Sequence, residues 1–220
     1  MKKLSALMLC LLLTGCGASK PVPDWLNTSY NQLENYQKNY LSGTEKIAVV
    51  QFKGAINEIK KSGDLEILSK AYLIRMALQT ATLENVNDDE YLKIDALQPS
   101  LPNRSFFAFL KGEINQVDDS LLPQHYRGFC KALRQSAGAE SLQEIEKMED
   151  PLSQLIALGI IVRLRQDNED VLKKAIAAAS AQGWKKPLLV YLARLQSYYE
   201  GKKETDKATG IQQRIKLIRD

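Results

Sequence analysis

The 220-residue chain has one histidine, His125, so most histidine-based metal sites and histidine-paired catalytic triads are ruled out. Three cysteines, 12 glycines, 7 prolines and 7% aromatic residues make a disulfide scaffold or a turn-rich β-sandwich a poor description. A formal charge of +4 is too small to indicate a nucleic-acid binder, and none is expected as a partner. The sequence also lacks a Gly-rich phosphate loop, zinc-ligand spacing and an activated-serine motif. What remains is 45% apolar and 25% charged, enough for one domain with a real core.

The first sixteen residues, MKKLSALMLCLLLTGC, have a different design from the rest. Lys2 and Lys3 form a basic start, and Leu4 to Leu13 an apolar run about half the length of a membrane-spanning helix. Leu13-Thr14-Gly15-Cys16 then resembles the lipobox of bacterial lipoproteins; Cys10 fits less well because bulky Leu9 precedes it. The resemblance implies that 1–15 is a signal peptide and that Cys16 is lipidated and becomes the first mature residue. It places the protein in the bacterial cell envelope, anchored to a membrane by acyl chains. Gly17 is compatible with the outer membrane, facing the periplasm, if the cell is Gram-negative.

Removing Lys2 and Lys3 with the leader leaves 28 basic and 26 acidic side chains. Residues 16–23 supply the lipidated cysteine and a linker, GASKPVP, that reaches at most about 25 Å. The body should therefore lie close to the bilayer. Once Cys16 is acylated, Cys130 is the only thiol left, so no intrachain disulfide can form. Cys130 reads as a buried, inert thiol, with a reactive thiol as the alternative; His125, five residues away, lies on another helix face and gives it no nucleophile–base geometry.

From residue 24 to 220 the pattern predicts a single all-α domain of antiparallel helical hairpins, with a subdivision considered near 85–103. Asp24 is read as the first N-cap. Leu26, Tyr30, Leu33, Tyr36 and Tyr40 mark one stripe. Ile47, Val50, Ala55 and Ile59, with Phe52 beside them, mark the next helix over 44–61. A third runs to about 84, with Leu68, Ala71, Tyr72 and Met76 on one stripe. Further helices are expected over 90–97, 104–117, 122–136, 139–147, 151–166, 169–182, 187–200 and 203–219. Segment 152–164 is apolar nearly all round and should be a central core helix.

Ala48, Phe52 and Ala55, preceded by Gly43, resemble the small–aromatic–small pattern of tetratricopeptide repeats. Ala175 and Ala208 lie one repeat length apart, and Pro187 falls where that family often ends a second helix. The aromatic is replaced by Ala179 and Gln212 in those later units, and His125 takes a small-residue position before Phe129 and Ala132. The resemblance implies a stacked α-α array of the kind that binds peptides or helices.

Few residues suggest chemistry. Asp88-Asp89-Glu90 lacks the spaced ligands of a calcium loop and reads as a helix start, as does Asp167-Asn168-Glu169-Asp170. No metal and no cofactor is expected. Residues 84–120 carry eight acids and three bases, whereas 185–220 carry nine bases and four acids. Lys202, Lys203, Lys207, Arg214, Lys216 and Arg219 are the candidates for contact with anionic lipid or an acidic partner. Phe106, Phe107, Phe109 and Leu110 are too dense for one helix face: they wedge between neighbouring helices or form a partner-docking patch.

The expected function is a membrane-anchored, non-catalytic scaffold for protein–protein interaction or complex assembly. The alternatives are a small-ligand or glycan-binding lipoprotein and, with less support, a peptidoglycan-acting hydrolase. An open groove lined by Tyr and Phe favours the first, a closed apolar pocket with converging polar groups the second, and two carboxylates facing across a cleft the third. Radiolabelled palmitate should be incorporated into the wild-type protein in bacteria. Cys16→Ala should abolish labelling and release the protein from the membrane fraction; unchanged labelling would refute the lipobox assignment.

Overall fold

The computed structural model describes residues 22–135 and 138–219. The expectations for the leader, Cys16 and most of the linker lie outside the described residues. Within them the chain is all-α: eleven α-helices and two single 3₁₀ turns, with no strand.

Helices α1 (Asp24–Ser42) and α2 (Glu45–Ser62) form a tight hairpin. Gly43 turns the chain in the left-handed region (φ 87°), and Thr44 N–H donates back to the Asn39 carbonyl. Helix α3 (Leu65–Ala81) starts at Asp64, whose carboxylate accepts from Ile67 N–H at 2.9 Å. Asp24 is not an N-cap: Pro23 holds that position and Asp24 is already helical, where its charge complements the helix dipole. On α2 the buried face is Ala48, Phe52, Ala55, Ile56 and Ile59. Ile47, Val50 and, on α1, Tyr30 are exposed instead, because α1 covers only the Ala48–Phe52–Ala55 side.

Helix α4 (Asp89–Leu97) matches the helix expected over 90–97, and α5 (Leu101–Lys111) follows it. Pro102 sits in the first turn of α5, where its missing N–H costs nothing, so the helix starts before residue 104. It stops at Gly112 (φ 77°), short of the expected 117. Two 3₁₀ turns, Ile114–Gln116 and Asp119–Leu121, follow. They are tied back by Ser105 Oγ, which donates to the Asp118 carbonyl and accepts from Asp118 N–H. Helices α6 (Gln124–Arg134) and α7 (Gly138–Glu146) pack on each other.

Helix α8 (Pro151–Arg163) has every residue from Leu155 to Ile161 buried, as a central helix must. Among the described residues no helix is long and apolar enough to cross a membrane. The chain ends with α9 (Glu169–Ala181), α10 (Lys185–Gly201) and α11 (Thr205–Arg219), with α10 packed between its two neighbours. Pro187 lies in the first turn of α10 and so opens a helix rather than ending one.

The hairpins are not stacked only in sequence order. Helix α3 packs along α8, and α1 touches α10, so both ends of the chain share one buried apolar cluster from Leu33 to Ile215. The α3–α8 contact depends on Gly159: a Cβ there would fall far inside contact distance of the Thr80 backbone carbonyl oxygen. At Gly128 an added Cβ would meet only the end of the flexible Glu144 side chain. Gly159→Ala should therefore cost about 3 kcal/mol in urea denaturation. Gly128→Ala should stay within about 1 kcal/mol of wild type, since the side chain can yield and alanine favours the helix.

Candidate functional site

A groove of about 690 Å³ runs beside α2. One wall is the face of α2 from Glu45 to Lys60, about 22 Å of helix. Tyr72, Arg75 and Gln79 of α3 form the other wall, and Tyr36 and Tyr40 of α1 lie at its base. The periodicity of α1 and α2 explains the base: Tyr36, Tyr40 and Phe52 sit at inward helical positions, so their rings converge under the groove. Tyr36 and Phe52 centroids are 4.8 Å apart, Tyr36 and Tyr40 5.5 Å, and Phe52 and Tyr72 5.7 Å. These tilted and edge-on arrangements suit aromatic quadrupoles.

Two cations complete the aromatic cluster. The Arg75 guanidinium lies 5.2 Å from the Phe52 ring centre and 4.9 Å from that of Tyr72. Lys186, from the start of α10, sits with Nζ 3.8 Å from the Tyr40 ring centre. The same Nζ reaches Glu84 at 2.6 Å and Glu45 at 3.0 Å. The Tyr40 hydroxyl donates to Glu84 Oε2 at 2.6 Å. Burial, then that hydrogen bond, pushes the Tyr40 phenol far above the ordinary tyrosine range, so it stays a proton donor. Burial does the same to Tyr36. Glu45 and Glu84 thus converge on Lys186 rather than facing each other across open space, unlike the carboxylate pair of a glycan hydrolase.

Another cluster has the residue types of a hydrolytic triad but different connections. Ser153 Oγ donates to Asp150 Oδ2 at 2.7 Å and lies 3.2 Å from His125 Nε2. With the serine hydroxyl donating to Asp150, its hydrogen is not directed at Nε2, so the pair lacks the serine-to-histidine hydrogen bond that a general base needs. Asp150 also caps α8 by accepting from Ser153 N–H at 2.9 Å. The geometry is that of a helix cap.

The phenylalanines singled out in the sequence form a wedge. Phe109 is fully buried, 4.8 Å from the Tyr126 ring and 6.1 Å from Phe129. Phe106 stacks on Phe109 and Tyr126, and Phe107 stacks on Tyr91 at 4.6 Å. The docking-patch alternative is corrected for Phe109, which has no surface to offer because α5 packs on α3 and α8 while the Phe109 ring meets Tyr126 and Phe129 of α6. The basic candidates are exposed on the last hairpin and are not drawn together into a site. Lys202 lies over Tyr198, Lys207 lies over Tyr199 and pairs with Glu204, and Lys203 occupies the left-handed turn between α10 and α11. Arg214 faces solvent.

The acidic stretches are spent on structure. Asp88 pairs with Lys111 and Glu90 with Lys93, while Arg194 takes both oxygens of Asp167 and Asn168 caps α9. Hydrogen bonding to Lys111 holds the Asp88 carboxyl below the usual range. Among the described residues no group of three acid, histidine or cysteine side chains could hold a metal.

The helical periodicity places Tyr36, Tyr40 and Tyr72 on inward stripes, with Phe52 beside the stripe of α2, but does not reveal the groove. The available signal was the spacing Tyr36–Tyr40 and Tyr72–Arg75, each a helical neighbour pair. Lys186 had no local signal, since it arrives from a distant helix. Searches for a matching protein family, a related curated protein or a similar solved structure found none for this chain.

Cys130 is buried, and desolvation, followed by its interaction with Asp119, raises its thiol to about 12. At pH 8 the folded protein should therefore not react with a thiol-specific disulfide reagent, while the urea-unfolded protein should react at Cys130. Rapid labelling of the native thiol would contradict this burial.

Proposed function

We propose that the chain is a lipid-anchored protein of the bacterial envelope whose helical body is a non-catalytic scaffold for protein–protein interaction and complex assembly. The observation that carries this reading is the groove along α2, open to solvent and based on Tyr36, Tyr40 and Phe52. Helical hairpins commonly receive peptides or helices in such grooves, and buried aromatic anchors with a polar rim suit them to it. The lipobox-like leader supports anchorage at Cys16, and the short linker a position close to the membrane. Gly17 favours the outer membrane, facing the periplasm, in a Gram-negative cell. Fold and function are linked here by analogy with tetratricopeptide-like arrays.

Binding of a small ligand or glycan is the second reading. Polar groups in the groove, Asn57 and Gln79 among them, favour it, but the open form favours a longer occupant. In-cell crosslinking and pull-down of the lipidated protein, with Cys16→Ala as control, separates the two. The expected result is one protein recovered near stoichiometrically with the wild type and lost from the control. Recovery of no protein above background would overturn the scaffold reading.

A further inference from the structure

The two ends of the groove differ in charge. Near the α1–α2 turn the charges are already matched, because Glu45 and Glu84 both hold Lys186. Towards the other end the groove is lined by Lys53, Lys60 and Arg75. None of these three has an ion-pair partner among the described residues. Arg75 gives Nη2 to the neutral Asn87 at 3.3 Å, and its Nε is buried without an acceptor. Glu90, the acid whose field reaches Lys60 and Arg75, is bound to Lys93 at 2.6 Å. Phe52, Ile56 and Tyr72 line the same segment, with Arg75 over the Phe52 and Tyr72 rings, so apolar and cationic groups border it together.

Spacing narrows the occupant. Lys53 and Lys60 are seven residues apart on α2, so they share a helix face and stand about 10 Å apart along it. Carboxylates seven residues apart on a second helix repeat that interval, and the apolar side chains between them would face Phe52 and Ile56. The full length of the groove, about 22 Å, corresponds to about 15 residues of helix. We propose that the groove receives an acidic amphipathic helix of a partner protein. Its apolar row would lie on Phe52, Ile56 and Tyr72, and its carboxylates would meet Lys53, Lys60 and Arg75. This deepens the scaffold reading and rests on it.

The test uses the full-length lipidated protein in cells, with a photoreactive phenylalanine at Val49, an exposed position lining the groove. A second position, Leu217 on α11, is exposed and outside the groove lining and serves as the comparison. Crosslinked peptides are sequenced by mass spectrometry. The expected crosslink at Val49 is to a protein segment with net negative charge and apolar residues at helical spacing. Lys53→Glu with Lys60→Glu should reduce that crosslink about tenfold or more, and Lys53→Gln with Lys60→Gln by less. Both lysines are exposed and unpaired, so an unchanged thermal midpoint is expected and separates lost binding from lost folding.

A neutral or basic segment, a lipid or glycan adduct, or a crosslink indifferent to charge reversal would overturn the proposal. A protein crosslinked at Leu217 and not at Val49 would overturn it while leaving the scaffold reading intact. No protein at either position would remove both.

Discussion

The backbones of α3 and α8 approach so closely at Thr80 and Gly159 that no side chain fits between them, and the two halves of the chain are joined around that contact. Thr80 is fully buried; its hydroxyl bonds to the Met76 carbonyl at 3.0 Å and lies 3.4 Å from the Leu110 carbonyl. The end of α5 is thereby brought to the same junction. At the end of α8, Arg163 donates to the Glu84 carbonyl at 3.1 Å. Partial burial of the guanidinium lowers the Arg163 pKa. A close-packed interior transmits such a constraint because it has few voids to absorb a displacement.

That junction also sets the groove. It fixes Glu84 just beyond α3, within reach of Lys186 from α10 and Tyr40 from α1. Lys186 then serves three groups, the Tyr40 ring and two carboxylates. Its side chain is only 11% exposed, whereas that of Glu45 is 67% exposed. The Glu45 pair on its own contributes little in solvent. The less exposed Tyr40–Lys186–Glu84 set is the firmer part, since cation–π attraction strengthens as water is removed. The result is a groove with one charge-matched end and one cationic end.

The uneven charge along the sequence has a largely structural meaning. In the acidic stretch Asp88, Asp95 and Asp119 are each held by a basic residue: Lys111, Arg104 and Arg134. The Arg134 hydrogen bond holds the Asp119 carboxyl below its ordinary range, and the same arginine reaches the carbonyls of Ile114 and Val117. These bonds secure the 3₁₀ turns after α5, where the backbone has fewer partners of its own.

Much of the fold was legible in the sequence because helices are specified locally. The apolar run of α8 could only be a central helix, and Gly43 and Gly63 mark turns whose positive φ suits glycine. Asp64, Asp150 and Asn168 cap helices as their residue type suggests. Errors arose where tertiary contact outweighed local pattern. Tyr30, Ile47 and Val50 are apolar and correctly spaced, yet exposed, because among the described residues no helix covers that side of the hairpin. Of the two readings of the phenylalanine cluster, the wedge holds for Phe109, whose neighbours periodicity does not identify. The sequence by itself determined that the body is helical, where most of its helices lie and the inward faces of Tyr36, Tyr40 and Tyr72. Only the tertiary structure decided that Lys186 meets Glu84 and Tyr40, and that Lys53, Lys60 and Arg75 border one groove. Helical pattern depends on neighbours within one or two turns, whereas a groove depends on which distant helices meet, and no local signal carries that.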